Sequence, residues 1–253
     1  MSKKPIALIT GASRKIGIGA AIARTLAEAG WDIAISYWRP YDAEMPWDSK
    51  PAEAEQLLAE IRKTSSNAVA IEADLSDPDA PKQMFDFVEE RLGAVTALVI
   101  SHCQSVDSDI LTTSLESFDK HVAINARATW LLIKEFGLRY QSEHGSGRII
   151  SITSDHTAGN LPYGASKGAM DRIVLAAAHE FKHLGITANV INPGATDTGW
   201  MNDEIKSAIL DATPLGRLGL PEDCANLVKF LCSREGGWVN GQLLKSDGGF
   251  SYN

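Results

Sequence analysis

The sequence has few cysteines, no long apolar run and no excess of positive charge. Its 253 residues include three cysteines, Cys103, Cys224 and Cys232, whose spacing suits neither a metal site nor a disulfide framework, and this favours a cytoplasmic location. No stretch of about 18 apolar residues occurs, so a membrane-spanning helix is not expected. Acidic residues outnumber basic ones by 32 to 24, a net charge of −8, which argues against a nucleic-acid partner.

The remaining composition is that of an ordinary globular protein, 44% hydrophobic and 22% charged. No composition break, internal repeat or low-complexity tract divides the chain, so residues 1–253 are expected to form a single domain. The first five residues lead directly into an apolar, strand-like segment, and no signal peptide is expected.

Short apolar runs alternate with longer stretches of helical period along the chain. Several runs are continuously apolar, which is typical of parallel strands covered on both faces. The alternation predicts right-handed crossovers and an α/β fold, a doubly wound parallel sheet of about seven strands with helices on both faces. The predicted strands are 5–10, 31–36, 68–73, 95–101, 148–153, 186–192 and 242–245.

A glycine-rich segment follows the first predicted strand. It reads TGASRKIGIG from Thr10 to Gly19 and leads into an Ala-rich helix. Glycines at such a turn let the backbone approach a pyrophosphate, which then lies at the helix N-terminus. Glycines alone leave a ligand-free turn open, but the position after the first strand favours a dinucleotide site. The predicted contacts are Gly11, Ser13, Arg14, Gly17, Ile18 and Gly19.

A second chemical signal is the run YGASKGA from Tyr163 to Ala169, which follows a predicted strand and Ser154. Tyr163 and Lys167, at positions i and i+4, share one helix face. An ammonium there is expected to lower the pKa of the phenol from about 10. The phenol can then protonate a carbonyl oxygen while hydride reaches the carbon, and Ser154 can hydrogen-bond the same oxygen. A Tyr-x-x-x-Lys pair alone is a weak signal, whereas the longer run is strong.

From Thr10 to Gly249 the sequence resembles the classical short-chain dehydrogenases/reductases, in pattern closest to the 3-oxoacyl-[acyl-carrier-protein] reductases. The resemblance rests on the glycine segment, the YGASKGA run and NPGATDT from Asn192 to Thr198. It implies a Rossmann-type fold, a nicotinamide dinucleotide and an oligomer, in this family usually a tetramer. The implied catalytic set is Asn125, Ser154, Tyr163 and Lys167. Further implied cofactor contacts are Asp74, Leu75, Ser101, Tyr163, Lys167, Pro193, Gly194, Thr196 and Thr198.

Cofactor preference is expected to depend on the tip of the second predicted strand. An acidic residue there would bind the ribose 2′-hydroxyl of NAD and repel the 2′-phosphate of NADP. The tip reads ISYWR from Ile35 to Arg39, with no acid. Ser36, Arg39 and the earlier Arg14 can supply a hydroxyl and positive charge. Each arginine alone is more often a solvated surface residue, but with the missing acid they favour NADP(H).

Two features near the cofactor depart from the family pattern. Five residues, instead of three, separate Gly11 from Gly17, which indicates a two-residue insertion. The segment Ile100–Cys103 reads ISHC where the family usually has Asn-Asn-Ala-Gly. Ser101 is expected to replace, less fully, an asparagine that ties the sheet together. His102 is expected to pack in the interior or to lie beside a ribose, rather than to act as a general acid.

Two loops are unusual in length. Only eight residues separate Ser154 from Tyr163, which predicts a more open or differently shaped substrate pocket. His156 in this segment is either substrate-facing or simply an exposed loop residue. The segment 38–47, rich in aromatics and proline, is longer than a strand-to-helix connection needs. It is expected to fold over the adenosine half of the cofactor, with packing on neighbouring helices as the alternative.

One motif is interpreted as a coincidence. His179, Glu180 and His183 have the spacing of a zinc-protease helix. Such a site needs a third ligand and an open cleft, and this segment ends the helix that carries Tyr163. No metal is therefore expected.

The sequence predicts a cytoplasmic, NADP-dependent oxidoreductase that reduces a ketone to a secondary alcohol. The substrate is expected to be a 3-oxoacyl thioester or a small carbonyl compound. The alternative is a non-catalytic dinucleotide-binding sensor on the same fold, suggested only by the altered ISHC segment and the short loop. No nucleic-acid or membrane partner is expected.

Overall fold

Seven parallel strands form the centre of the molecule in the computed structural model, which describes residues 4–45, 50, 52–64 and 66–252. The strands are β1 (Ile6–Ile9), β2 (Asp32–Tyr37), β3 (Ala68–Glu72), β4 (Ala97–Ile100), β5 (Arg148–Ile152), β6 (Thr187–Asn192) and β7 (Leu243–Lys245). They are ordered β3-β2-β1-β4-β5-β6-β7 in the sheet. Each predicted strand is confirmed to within a few residues.

Helices connect the strands and cover both faces of the sheet. They are α1 (Ile18–Glu28), α2 (Arg39–Ala43), α3 (Glu53–Arg62), α4 (Ala80–Arg91), α5 (Leu115–His121), α6 (Ala128–Arg139), α7 (Leu161–Glu180), α8 (Asp203–Ala212) and α9 (Pro221–Cys232). A π-helical segment, Val122–Arg127, joins α5 to α6. No helix within the described ranges is both long and apolar enough to cross a membrane.

Two apolar layers, one on each face of the sheet, form the core. Along β1, Ala7 and Ile9 pack with α1, α3 and α9, whereas Ile6 and Leu8 pack with α4, α6 and α7. Successive strand residues point to opposite faces, so a strand covered on both sides is apolar throughout. This is the reason for the continuously apolar runs, and it confirms the doubly wound, Rossmann-type α/β fold.

The parallel arrangement gathers the loops that carry the predicted site residues at one edge of the sheet. The chain runs outward from β1 to β2 and β3, and then returns to place β4 on the other side of β1. A crevice opens at the carboxyl ends of the strands where the order reverses, and in open α/β sheets this is where ligands bind. The segments that follow β1, β4, β5 and β6 all begin there.

Candidate active site

The turn after β1 has a backbone that only glycine fits. Gly11 has a φ of +72°, and a Cβ built on it would lie 2.6 Å from the Cα of His102. A Cβ on Gly19 would lie 2.8 Å from the Gly11 carbonyl oxygen. Glycines in both positions therefore let the N-terminus of α1 approach the turn closely. This leaves a cradle of backbone N–H groups of the kind that binds a pyrophosphate.

The two-residue insertion forms a tight turn directly before α1. The Gly17 N–H donates to the Arg14 carbonyl oxygen at 3.0 Å. The Arg14 guanidinium donates to the Thr198 carbonyl oxygen at 2.7 Å, and its Nε lies 3.7 Å from the Asp42 carboxylate. Burial lowers the pKa of Arg14 and the Asp42 carboxylate opposes that shift. Arg14 thus joins the glycine turn to the segment after β6 and to α2.

Of the residues predicted to contact the cofactor, Ser36, Arg39 and Asp74 make hydrogen bonds within the protein. Ser36 is buried in β2, and its carbonyl oxygen accepts the Ala12 N–H at 2.9 Å. The Arg39 guanidinium is exposed and makes two hydrogen bonds to the Glu72 carboxylate, at 3.0 and 2.8 Å. Asp74, after β3, accepts the Ser76 N–H at 2.8 Å in a local turn. Arg39 can exchange its carboxylate partner for a phosphate, whereas the Ser36 hydroxyl is poorly placed to do so.

The long segment after β2 forms the short helix α2 and turns toward the crevice. The Tyr41 hydroxyl lies 3.4 Å from the Ser105 carbonyl oxygen, in the loop after β4, and Asp42 is buried beside Arg14. Of the predicted segment 38–47, Pro46 and Trp47 lie outside the described residues. In the described part, Tyr41 contacts the loop after β4 and Asp42 contacts Arg14 of the glycine turn. That the segment folds over the adenosine half of the cofactor stays a prediction.

Tyr163, Ser154 and Lys167 meet at the carboxyl end of β5. Tyr163 lies in the first turn of α7 and is half-buried, and the Ser154 hydroxyl is within hydrogen-bond reach of its phenol. Lys167, one turn along α7, is buried, and its Nζ donates to the Ile152 carbonyl oxygen at 2.8 Å. The Lys167 Nζ lies 5.8 Å from the centre of the Tyr163 ring. The residues brought together are those that the sequence predicts.

The electrostatics of Tyr163 differ from the expectation. Burial raises the pKa of its phenol above the usual value, and the hydrogen bond with Ser154 only partly opposes this. Burial also lowers the pKa of Lys167, which the nearby Asp171 partly offsets. The prediction that Lys167 lowers the phenol pKa below its usual value is therefore wrong for this structure, because burial raises the phenol pKa and the ammonium donates its hydrogen bond to a backbone carbonyl. The phenol is protonated at neutral pH.

Asn125 lies in the π-helical segment and is fully buried. Its side-chain oxygen accepts the Gln104 N–H at 2.7 Å, and its amide nitrogen donates to the Gln104 carbonyl at 2.9 Å and to the Ser166 hydroxyl at 2.8 Å. The side chain thus connects the loop after β4 to α7, the helix that carries Tyr163 and Lys167. The part that Asn125 takes in a proton relay stays a prediction.

The altered ISHC segment uses His102 where the family uses asparagine. The His102 ring is buried and lies 2.7 Å from the Thr10 hydroxyl and 2.9 Å from the Ile124 carbonyl oxygen. Ser101 contributes its backbone N–H, which donates to the Thr10 hydroxyl at 3.1 Å. Of the two expectations for His102, the structure shows the packed one, and the imidazole rather than the serine side chain ties the strands together.

The segment after β6 lines the crevice opposite the glycine turn. Gly194 has a φ of +61°, and Thr196 and Thr198 are buried. The Thr196 hydroxyl donates to the Pro193 carbonyl oxygen at 3.2 Å. These are the residues expected to contact the nicotinamide, and the Arg14 bond to Thr198 places them next to the glycine turn.

The short segment between Ser154 and Tyr163 lies directly over the start of α7. A Cβ on Gly164 would collide with the His156 carbonyl oxygen, and the His156 N–H donates to the Ser154 hydroxyl at 3.2 Å. The His156 side chain is exposed. Its assignment to substrate binding stays a prediction.

The zinc-protease spacing does not produce a cluster of ligands. His183 is exposed, and its Nδ1 lies 3.1 Å from the Glu180 carbonyl oxygen. No group of three or more His, Cys, Asp or Glu side chains that could hold a metal ion occurs in the described part of the chain.

Comparison with known proteins decides the family. A family model described as enoyl-(acyl carrier protein) reductase matches residues 11–251. The uncharacterized oxidoreductase YjdA of Bacillus subtilis is 37% identical over 98% of each chain. A short-chain dehydrogenase of Burkholderia cenocepacia, crystallised with NADP, is 31% identical, with a TM-score of 0.87 over 99% of this chain and 98% of that one. The chain belongs to the short-chain dehydrogenase/reductase family.

A further member of this family carries a more specific name. The NADPH-dependent aldehyde reductase-like protein of Arabidopsis thaliana chloroplasts is 35% identical, covering 97% of this chain and 93% of that protein. The short-chain dehydrogenase/reductase described here is thus an oxidoreductase by family. Its glycine cradle, which a Cβ would fill, fits a nicotinamide dinucleotide.

Two residues of this short-chain dehydrogenase/reductase site were missed in the sequence. Tyr41 reaches the loop after β4 from α2, and no local pattern predicts a contact across 64 positions. Asp171 lies one turn beyond Lys167 and opposes the lowering of the lysine pKa. Its position at i+4 from the lysine was a usable signal, because such residues share a helix face.

Proposed function

We propose that the protein is an NADPH-dependent reductase that converts a ketone or aldehyde into an alcohol. The observation that carries this proposal is the meeting of the Tyr163 phenol, the Ser154 hydroxyl and, one turn along α7, the buried Lys167 ammonium at the mouth of a dinucleotide crevice. The printed name of the Arabidopsis relative and the NADP in the Burkholderia structure support the choice of cofactor and of a carbonyl substrate.

The residues of the crevice can divide the reaction between them. The glycine turn and the segment 193–198 would hold the dinucleotide, whose nicotinamide supplies hydride to the carbonyl carbon. The Ser154 hydroxyl, which accepts the His156 N–H, keeps its own hydrogen free to donate to the carbonyl oxygen. Tyr163 then gives that oxygen its proton. The Lys167 ammonium stabilises the phenolate that remains.

The substrate that fits this site best is a small, uncharged carbonyl compound. Asp155 directly follows Ser154 and is exposed. Asp107, in the loop after β4, accepts a hydrogen bond from Asn160, which lies between Ser154 and Tyr163. These carboxylates, together with the net charge of −8 on the whole chain, disfavour the binding of an acidic carrier protein. Free 3-oxoacyl thioesters remain within the proposal, because the reaction at the carbonyl is the same.

A panel of carbonyl compounds tests the proposal directly. NADPH oxidation is measured with keto-esters, quinones, aldehydes and a free 3-oxoacyl thioester, and the alcohol product is identified by mass spectrometry. Turnover of at least one member, abolished when Tyr163 is replaced, is the expected result. Tight NADPH binding without turnover of any compound would instead favour the non-catalytic sensor.

NADPH is expected to bind at least about tenfold more tightly than NADH, because a phosphate can replace Glu72 as the partner of the Arg39 guanidinium. The substitution Arg39→Ala should remove most of this difference and leave NADH binding unchanged. Dissociation constants from fluorescence titration give the measurement. Arg217→Ala is the matched control, since Arg217 makes a similar exposed pair with Asp223. Equal affinities of the wild type for both dinucleotides would contradict the assignment.

The pH dependence should differ between the two directions of reaction. Burial raises the pKa of Tyr163, so the protonated form needed for reduction persists as the pH rises, and kcat for reduction should stay flat from about pH 6 to about pH 10. Oxidation of the alcohol needs the phenolate and should become faster throughout this range. Steady-state rates at saturating substrate measure both limbs. A fall in the reduction rate centred near pH 8 would contradict the raised pKa.

A homotetramer in the cytoplasm completes the proposal. Large apolar side chains are exposed along α5, the π-helical segment and α6. They are Leu115, Phe118, Val122, Trp130 and Leu138. Exposed apolar surface of this kind is typical of an interface between subunits. The three cysteines are free, which suits a reducing compartment.

A further inference from the structure

The ring of His102 lies between the glycine turn and the π-helical segment that carries Asn125. It is 7% exposed, and its backbone lies against Gly11, where a Cβ would lie only 2.6 Å from the His102 Cα. The side chain reaches from the end of β4 to Thr10 on one side and to Ile124 on the other. Within the described part of the chain, no other side chain proposed for catalysis or cofactor binding forms hydrogen bonds to both Thr10 and the π-helical segment.

The two hydrogen bonds fix the tautomer of the imidazole. The Ile124 carbonyl oxygen can only accept, so Nε2 carries the hydrogen and donates it at 2.9 Å. Nδ1 is then an acceptor, and the Thr10 hydroxyl donates to it at 2.7 Å. The Thr10 oxygen itself accepts the Ser101 N–H, which leaves its hydrogen free for this purpose. Both ring nitrogens are therefore satisfied in the neutral form.

The carbonyl that His102 binds is one that the π turn releases. In an α-helix, the Ile124 carbonyl oxygen would accept the Ala128 N–H. Here the Ala128 N–H donates to the Ala123 carbonyl oxygen, five residues back. A buried carbonyl without a partner is costly, and π turns are found mainly at functional sites. The imidazole supplies a donor to this carbonyl, directly before Asn125.

We propose that His102 is a positioning residue that clamps the π turn to the end of β1 and thereby holds Asn125 in place. Asn125 in turn fixes the Gln104 backbone and the Ser166 hydroxyl, three residues along α7 from Tyr163. His102 thus links the dinucleotide turn to the π-helical segment, and Asn125 links that segment to α7. This role rests on the proposed reductase function, which Asn125 serves.

The clamp does not depend on pH in the working range. Burial and the nearby Lys167 lower the pKa of His102 to about 3, with the Ile124 carbonyl opposing the shift. Thr10 and Ile124 face the ring and are both uncharged. The imidazole is therefore neutral from mildly acidic to alkaline pH, and its two bonds persist there.

Two substitutions separate the two bonds. In His102→Gln, the amide nitrogen is as many bonds from Cβ as Nε2 and can still donate to Ile124. In His102→Asn, the amide oxygen is as many bonds from Cβ as Nδ1 and can still accept from Thr10. His102→Met removes both bonds at similar volume. The exposed His183→Gln is the control for histidine loss.

The proposal predicts a defined order of rates. The kcat of the Met and Asn variants should fall on the order of 100-fold, the loss that misplacing a catalytic group by an ångström produces, whereas Gln should keep most of the wild-type rate. NADPH dissociation constants should stay within about threefold of wild type in all folded variants. In the Met variant, Asn125→Ala should cause little additional loss, because the two residues act in one unit. Equal rates for Gln and Asn, or an Asn variant faster than Gln, would overturn the proposal.

Amide hydrogen exchange gives a readout that needs no activity. The peptide covering 122–131 should exchange faster in the Met and Asn variants than in the wild type and Gln, since the turn has lost its outside partner. Unchanged exchange in all three variants would overturn the clamp. A wild-type protein that reduces no carbonyl compound would refute the proposed function instead, and the exchange experiment would still decide whether His102 holds the turn.

Discussion

Replacing Tyr163 with phenylalanine is expected to lower kcat at least about 1,000-fold and to leave NADPH affinity within about threefold of wild type. The phenol lies beside the Ser154 hydroxyl and is the group positioned to protonate a carbonyl oxygen. Phenylalanine keeps the ring and removes only the proton donor, so the crevice should bind the dinucleotide as before. Stopped-flow NADPH oxidation and fluorescence titration measure the two quantities.

A second tyrosine provides the matched control for this experiment. The Tyr140 hydroxyl donates to the Glu143 carbonyl oxygen at 2.8 Å and lies 2.8 Å from the Ser146 hydroxyl, near the amino end of β5 and so at the opposite edge of the sheet from the crevice. Tyr140→Phe should cost about 1 kcal/mol of unfolding free energy and leave kcat unchanged. A Tyr163→Phe variant that keeps even a tenth of the wild-type rate would remove Tyr163 from the mechanism, since the loss of a general acid costs about 100-fold or more.

The sheet was predictable because its signals are local. An apolar run of four to six residues, such as Ile6–Ile9, identifies a strand covered on both faces regardless of which helices cover it. The same holds for the glycine turn and for the Tyr163–Lys167 pair, whose spacing along one helix fixes their geometry. The residue types in these places carry the information themselves.

The contacts that tune the site were not predictable, because their partners lie far away in sequence. The bond from His102 to Thr10 joins residues 92 positions apart, and the Arg14 bond to Thr198 spans 184. The partner of Arg39, Glu72, belongs to the neighbouring strand β3 and depends on the register between β2 and β3. No sequence pattern distinguishes such partners from other polar residues before the sheet is assembled.

The pKa of Tyr163 shows the same limit. Spacing places an ammonium one turn from the phenol, but the size of its effect depends on how deeply both groups are buried and on where the ammonium makes its hydrogen bond. Lys167 donates to the Ile152 carbonyl oxygen, and burial raises the pKa of the phenol above its usual value. A raised pKa suits reduction, because the phenol stays protonated at neutral pH and can act as the proton donor.

Lys167→Met should lower kcat at least about 100-fold and, unlike Tyr163→Phe, should also weaken NADPH binding, by about tenfold. The buried ammonium is positioned to stabilise the phenolate left after proton transfer, and the family resemblance implies that Lys167 also contacts the cofactor. Methionine fills a similar volume without a charge, so the chemical and binding roles are lost together. The two variants are compared by kcat and by the NADPH dissociation constant. Loss of the proton donor should change kcat alone, whereas loss of the cation should change both quantities.

The thermal stability of the Lys167→Met protein shows whether its lower kcat reflects the missing ammonium or a disturbed fold. Removing Lys167 leaves the Ile152 carbonyl oxygen without its donor, at a cost of about 1–3 kcal/mol, but it also relieves the desolvation of a buried cation, whose lowered pKa reports that penalty. The two effects oppose each other, so the melting temperature should move by no more than about 5 °C. Lys82→Met, which removes an exposed lysine paired with Asp86 on α4, is the control for charge loss and should leave kcat and binding unchanged. A folded Lys167→Met protein with wild-type kcat would show that the phenol works without its cation, and the mechanism would then lack its source of phenolate stabilisation.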